Sequence, residues 1–114
     1  MLINVCKSKI HRATVTGTHL EYEGSITICK NLMEKADIVE YEKVQVVNIN
    51  NGQRFSTYVI KGENEGEIVL NGAAARLAVP GDKVIIIAYG QIEKKESKKF
   101  KPSIVVVNDL NKVT

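Results

Sequence analysis

The 114-residue chain contains no tryptophan, two cysteines, two prolines and no long apolar run. Its longest apolar stretch, residues 84–89, is far below the roughly 20 residues that a membrane helix needs, so we expect no membrane span. The first residues lack a basic segment followed by an apolar one, which predicts a cytoplasmic protein. Cys6 and Cys29 form no CxxC pair, and only two histidines accompany them. We therefore expect structural thiols rather than a metal site.

The net charge is also small, because 16 basic and 13 acidic residues leave only +3. With 44% apolar residues, this balance excludes a disordered chain and fits one domain. Residues 93–101 contain five lysines and two glutamates but one aromatic residue, whereas nucleic-acid-binding faces interleave cations with stacking aromatics. We interpret this segment as a solvated loop. A non-enzymatic β-barrel that binds nucleic acid or protein through residues 93–101 remains the alternative function.

The side chains that are abundant favour β-structure. Valine and isoleucine number 27 against six leucines, and β-branched residues suit a pleated sheet. Eight short runs bounded by turn residues predict strands and a small closed β-barrel: 2–7, 9–15, 25–29, 44–49, 55–60, 67–70, 83–89 and 103–107. The run at 84–89 is apolar throughout, which predicts a central strand that is buried on both faces.

Turn and helix signals separate these runs. Asn50-Asn51-Gly52 predicts a hairpin, because Asn-Gly supplies the positive φ angles of a tight turn, and Pro80-Gly81-Asp82 predicts a second turn. Short helices are expected at residues 31–36, capped by Asn31, and at residues 72–77, where alanines favour a helical turn.

Four strings occur in order along the chain: KIHR at 9–12, YEGS at 22–25, NGQRFSTY at 51–58 and NGAAA at 71–75. Together they resemble the pyruvoyl-dependent aspartate 1-decarboxylases. The resemblance covers most of the chain and implies a single double-psi β-barrel domain that assembles as a homotetramer. It also implies conversion of L-aspartate to β-alanine and carbon dioxide, which supplies pantothenate and coenzyme A synthesis.

The resemblance further implies that the chain cleaves itself between Gly24 and Ser25, giving chains 1–24 and 25–114. The Ser25 hydroxyl attacks the Gly24 carbonyl to form an ester, with Gly24 supplying backbone freedom and Thr57 electrostatic support. Elimination and hydrolysis then convert Ser25 to a pyruvoyl group with loss of ammonia. This ketone forms a Schiff base with the substrate and replaces pyridoxal phosphate, in keeping with the absence of a GxGxxG or Walker motif. The sequence leaves open whether a maturation factor takes part.

Other matched positions receive roles in substrate binding and proton transfer. Lys9 and Arg54 match the cations that face the two carboxylates, and the planar Arg54 guanidinium suits a bidentate grip. Tyr58 matches the proton donor, since a phenol with a pKa of about 10 stays protonated at neutral pH. Strict strand alternation puts Thr57 and Tyr58 on opposite faces, so a bulge or the strand's end is expected there to bring both into one pocket.

A substrate-binding loop is matched by Asn71, Gly72, Ala73 and Ala74, although the same residues also fit a plain helix N-terminus. His11 and Tyr22 match positions near the pocket without a definite role. Val47 departs from the family pattern, in which some relatives carry an aromatic residue, and this predicts looser packing on the substrate. A self-processing relative that decarboxylates another amino acid, such as glutamate, differs only in these pocket contacts.

Overall fold

The computed structural model describes residues 1–114 and confirms a chain of mainly β-structure with a few short helices. Its eight strands are β1 (Leu2–Thr14), β2 (Gly17–His19), β3 (Ser25–Cys29), β4 (Lys43–Asn48), β5 (Arg54–Gly62), β6 (Ile68–Asn71), β7 (Lys83–Glu93) and β8 (Ser103–Val106). Helix α1 spans Lys30–Lys35, and two 3₁₀ helices span Gly72–Leu77 and Lys94–Glu96.

The strands form one mixed sheet in the order β2-β6-β3-β5-β4-β7-β1-β8. The pairs β1 with β8, β2 with β6 and β3 with β5 are parallel, and the remaining pairs are antiparallel. Strand β3, which begins at Ser25, therefore lies between β6 and β5. Both neighbours carry candidate site residues, so the topology alone brings several of them close to Ser25.

The two strands predicted at 2–7 and 9–15 are one strand, β1, with a register shift between Cys6 and Ser8. Lys7, the residue that interrupts the pairing, extends its Nζ to Glu42 Oε2 at 2.7 Å and to the Asp37 carbonyl at 2.6 Å. The break predicted at Ser8 is therefore absent, and the irregularity is a bulge at Lys7, whose side chain forms an ion pair. The three-residue strand β2 was not predicted, because it is too short to show alternation.

Strand β7 lies between β4 and β1, which confirms its predicted place inside the sheet. The prediction that it is buried on both faces was wrong. Its inward side chains, Val84, Ile86 and Ala88, are buried, whereas Ile87 is half-buried and Tyr89 is exposed. Only one face of β7 packs on the core, and the opposite face lies in a broad surface that β1, β4 and β5 share.

The predicted hairpin between β4 and β5 is confirmed. Gly52 has φ of +76° and donates its N–H to the Asn48 carbonyl at 2.8 Å. Helix α1 begins at Lys30, so the predicted cap at Asn31 was wrong, and the preceding Cys29 makes no side-chain capping bond. The second predicted helix is present at Gly72–Leu77, with 3₁₀ geometry.

One hydrophobic core of 22 buried residues holds these elements together. Its largest members are Ile10, Ile26, Ile28, Leu32, Ile68, Leu70 and Ile86, each contributing about 1.5–3 kcal/mol through burial. Cys29 lies in this core and Cys6 is half-buried; both are free thiols. No helix has the length and apolar character needed to cross a membrane. Ser25 and Asn71 are among the few buried polar residues, at the edge of this core.

Candidate active site

Ser25 is fully buried, although every residue from 20 to 24 is exposed. Its Oγ accepts a hydrogen bond from Asn71 Nδ2 at 2.9 Å and donates a long one, 3.5 Å, to the Glu23 carbonyl oxygen. The hydroxyl therefore turns back toward the chain that precedes it. Residues 20–24 are thus accessible to solvent, whereas the hydroxyl of the serine that follows them is shielded from water.

Asn71 is held beside Ser25 by strand pairing, because the two residues are register partners in the antiparallel β3–β6 pair. Its Nδ2 donates to Ser25 Oγ and also, at 3.0 Å, to Thr27 Oγ1. Asn71 makes no capping bond to the 3₁₀ helix that follows it. Asn71 therefore does precede a helix, but its side-chain amide binds Ser25 and Thr27 rather than the helix backbone. Thr27 was not predicted, although its alternation with Ser25 along β3 was a usable signal.

Gly72 and Gly24 pack backbone against backbone. A Cβ on Gly72 would lie 2.7 Å from both the N and Cα atoms of Gly24, and Gly72 has φ of +68°. Gly24 itself lies outside the left-handed region, and a Cβ there would meet no atom within 4 Å. The expected need for glycine at residue 24 is therefore not seen in the uncleaved chain. It is at Gly72 that the structure leaves no room for a side chain.

A pocket of about 380 Å³ opens beside Asn71 and Thr27. Its wall includes His19 and Tyr22, whose rings pack edge to face with centroids 6.0 Å apart. Tyr22 and His19 thus line the same pocket as Asn71, the residue that binds Ser25. His19 was not predicted as a site residue, because β2, the strand that ends with it, was itself not foreseen. Of the two predicted loop alanines, Ala74 is buried and Ala73 is exposed.

The predicted cations lie on another surface, which we call the outer face: the side of β1, β7, β4 and β5 that points away from the core. Lys9, Ile87, Gln45 and Ser56 form one register row across these four strands. Arg54 and Tyr58 flank Ser56 on β5 at alternate positions, so they share this face. Neither Lys9 nor Arg54 has an acidic partner. Both positive charges are therefore free to bind an anion.

Tyr58 connects the outer face to the serine. Ile26 pairs with Val59 in the parallel β3–β5 pair, so the residues before them, Ser25 and Tyr58, occupy adjacent positions. Tyr58 is 36% exposed, and its ring centre lies 6.4 Å from that of Tyr41. Its hydroxyl makes no hydrogen bond to protein and is free to meet a ligand.

The structure does not bring Thr57 and Tyr58 to one face. The pairing of β5 with β4 runs without a register shift, from Val47 opposite Arg54 to Lys43 opposite Tyr58. The bulge or strand end that we expected there is absent, since β5 continues to Gly62. Thr57 is half-buried on the side opposite Tyr58.

His11 lies on β1 beyond Lys9, half-buried and paired in register with Val106. It makes no side-chain hydrogen bond and does not line the pocket beside Asn71. No group of three or more His, Cys, Asp or Glu side chains is arranged to hold a metal ion. The lysine-rich segment forms the short Lys94–Glu96 helix and exposed turns, away from Ser25.

The sequence model of the aspartate decarboxylase family matches residues 1–114. The chain belongs to the aspartate decarboxylase family. It is 61% identical over 114 residues to the aspartate 1-decarboxylase of Clostridium beijerinckii, covering 99% of this chain and 92% of that one. It is 65% identical over 114 residues to the aspartate 1-decarboxylase of Caldicellulosiruptor saccharolyticus, covering 99% and 89%. With the aspartate 1-decarboxylase of Campylobacter fetus it shares 54% over 113 residues, covering 99% and 98%.

Membership of the aspartate decarboxylase family confirms the resemblance that the four strings indicated. A match over the whole chain favours an enzyme over the alternative of a binding module built around residues 93–101. Within this family, the buried pair of Ser25 and Asn71 and the unpaired cations of the outer face become candidates for one active site.

Proposed function

We propose that the chain decarboxylates L-aspartate to β-alanine and carbon dioxide, using a pyruvoyl group that it makes from Ser25 by self-cleavage after Gly24. The observation that carries this proposal is the buried Ser25, whose Oγ is held by Asn71 at 2.9 Å directly after an exposed segment. Relatives that are 54–65% identical over nearly the whole chain bear the name aspartate 1-decarboxylase.

Self-cleavage begins with the Ser25 oxygen, which bonds to the Gly24 carbonyl carbon while the peptide C–N bond breaks. The nitrogen of residue 25 takes up the hydroxyl proton, and an ester results. Asn71 orients the attacking oxygen, because its donated N–H occupies one lone pair and fixes the position of Oγ. Burial of Ser25 keeps water from the ester until elimination releases the Gly24 carboxylate.

The residues around Ser25 fit a carbonyl group at this position. Asn71 is a donor, and it can donate to a carbonyl oxygen as it donates to the serine oxygen. A pyruvoyl ketone supplies, when formed, an electron sink for the charge that remains after carbon dioxide departs. Tyr22, His19 and Thr27 line the adjoining 380 Å³ pocket and bound the space next to residue 25.

Substrate recognition is assigned to Lys9 and Arg54, and protonation of the product carbon to Tyr58. Aspartate carries two carboxylates, and the two cations without acidic partners offer matching charge. Loss of carbon dioxide leaves a carbon that needs a proton, and Tyr58, next to Ser25 in the sheet, can donate it.

The remaining candidate residues receive supporting roles. Thr57 is assigned to the cleavage step, Ala73 and Ala74 to the substrate-binding loop, and His11 to the surroundings of the pocket.

We assign the chain a double-psi β-barrel that functions as a homotetramer in the cytoplasm, with any maturation factor acting on the uncleaved chain. Within one chain Tyr58 of the outer face lies next to Ser25, but three strands separate Lys9 on β1 from β3. A second copy that covers the outer face would enclose the cations with a serine pocket. Exposed apolar residues on this side, including Ile104 and Val106, support such an assembly.

Incubation with aspartate labelled with ¹³C tests the proposed reaction directly. The purified, warmed protein should convert the label to β-alanine and carbon dioxide, and glutamate should remain unchanged. The Ser25→Ala chain, which lacks the hydroxyl, should produce neither. Conversion by the Ser25→Ala chain, or a wild-type chain that is cleaved yet leaves aspartate unchanged, would refute the assignment. Steeply salt-dependent retention of DNA would support the binding alternative.

A further inference from the structure

We propose that Gln45 and Tyr89 form a bracket that positions Arg54 for a substrate carboxylate. The Gln45 Oε1 atom accepts two hydrogen bonds, one from Arg54 Nη1 at 3.0 Å and one from Tyr89 Oη at 2.7 Å. This inference rests on the proposed role of Arg54 in binding aspartate. It makes Gln45 and Tyr89 positioning residues, which act on the substrate only through Arg54.

The sheet fixes the bracket from both sides. Gln45 lies in the middle of β4, paired with Ser56 of β5 and with Ile87 of β7. Arg54 is two residues from Ser56, and Tyr89 is two residues from Ile87, so each is a diagonal neighbour of Gln45 on the outer face. Diagonal neighbours lie about 7–8 Å apart, a distance that long side chains span.

The chemistry of the three groups allows only one arrangement. A guanidinium has donors alone, so the amide oxygen of Gln45, and not its nitrogen, must face Arg54. Two donors then fill both lone pairs of Oε1, and a rotation of the amide would turn its NH₂ group towards Arg54 and break that bond. The Tyr89 hydroxyl donates its hydrogen bond to Gln45 Oε1 and so holds the Gln45 amide in the orientation that binds Arg54.

The Gln45 amide oxygen that accepts the hydrogen bond from Arg54 is neutral, so it does not compensate the positive charge of the guanidinium. No carboxylate pairs with Arg54, so its full positive charge remains for a ligand. One of five guanidinium N–H groups is used, which leaves an edge for a bidentate carboxylate contact.

Steady-state kinetics of the cleaved enzyme with aspartate test the bracket. Gln45→Leu should raise KM about tenfold, the factor expected for one lost hydrogen bond to a charged group, with kcat and the extent of cleavage unchanged. Gln45→Glu should raise KM further, although it keeps both hydrogen bonds, because its carboxylate competes with the substrate for Arg54. Tyr89→Phe, which removes one exposed hydroxyl, should raise KM about threefold.

The double variant separates positioning from mere packing. Because Tyr89 acts through Gln45, Gln45→Leu combined with Tyr89→Phe should have the KM of Gln45→Leu alone. The matched control is Gln53→Leu, which lies beside Arg54 but whose side chain makes no hydrogen bond, and its KM should equal that of the wild type. An unchanged KM in Tyr89→Phe and Gln45→Glu, or additive effects in the double variant, would overturn the bracket. Those results would leave the decarboxylase assignment intact, because that assignment is tested separately by β-alanine formation in the wild-type and Ser25→Ala chains.

Discussion

Gly72 leaves no room for a side chain against Gly24: a methyl group on Gly72 would lie 2.7 Å from the Gly24 Cα atom. The backbone that we propose to be cleaved therefore packs directly against the loop that we expect to bind the substrate. The left-handed φ of +68° at Gly72 makes this approach possible, and it connects the cleavage step with the loop after β6.

Gly72→Ala should slow self-cleavage strongly, because the methyl group displaces residue 24 from the Ser25 hydroxyl. The time course of the uncleaved band at 37 °C measures this. Gly52→Ala is the matched control, since Gly52 has a similar φ of +76° but open space around it. Both variants bear the same backbone cost of about 1–2 kcal/mol. Equal cleavage rates in the two variants would show that contact with Gly24 plays no part.

Asn71→Ala should slow self-cleavage about tenfold, because Ser25 Oγ loses the donor that orients it. Thr27→Val is the companion variant: it preserves shape and the bond from Asn71 to Ser25 but removes the second acceptor. Its cleavage should be affected less. Mass spectra taken at intervals give both rates, and a Thr27→Val chain slower than Asn71→Ala would contradict the role given to Asn71.

Tyr58→Phe should cleave normally but lose decarboxylation by a factor of about 100 or more, the contribution of a positioned general acid. Separate assays of cleavage, by mass, and of β-alanine formation, by chromatography, check the two halves of this statement. Tyr41→Phe keeps the ring that neighbours Tyr58 and should retain activity. If Tyr58→Phe forms β-alanine at the wild-type rate, another group donates the proton.

Asp82 should make the fold sensitive to acid. Its pKa is held below the ordinary 3.8 because its carboxylate accepts N–H groups from the Asn48 side chain and the Val79 backbone. A lowered folded-state pKa stabilises the fold above the unfolded pKa, and this stability disappears as pH falls through the folded value. Asp82→Asn should thus lower the free energy of unfolding more at pH 6 than at pH 3, as measured by denaturant unfolding. Glu34→Gln, an exposed carboxylate without a hydrogen bond, should show no such pH dependence; an equal loss at both pH values in Asp82→Asn would refute the effect.

Much of the fold could be predicted from local sequence. Short β-branched runs bounded by turn residues located β3, β4, β5 and β7 closely. The bulge at Lys7 could not be foreseen, because its cause is an ion pair with Glu42, 35 residues away. Strand β2 exists only through its pairing with β6.

The candidate site was predicted through family motifs, and the structure adds what motifs do not contain. Residues in one string, such as Thr57 and Tyr58, point to opposite faces. Residues far apart in sequence meet instead, as Ser25 and Asn71 do, and as Gln45, Arg54 and Tyr89 do on the outer face. Gln45 and Tyr89 carry no sequence signal, because their relation to Arg54 depends on the register of three strands.

The intact mass of the purified chain under denaturing conditions, after warm incubation, tests the central claim most directly. The account predicts two species, residues 1–24 and a fragment 25–114 that is one ammonia lighter than its serine form, while the Ser25→Ala chain stays whole. A wild-type chain that remains a single species of 114 residues would contradict the proposal that Ser25 becomes the catalytic group.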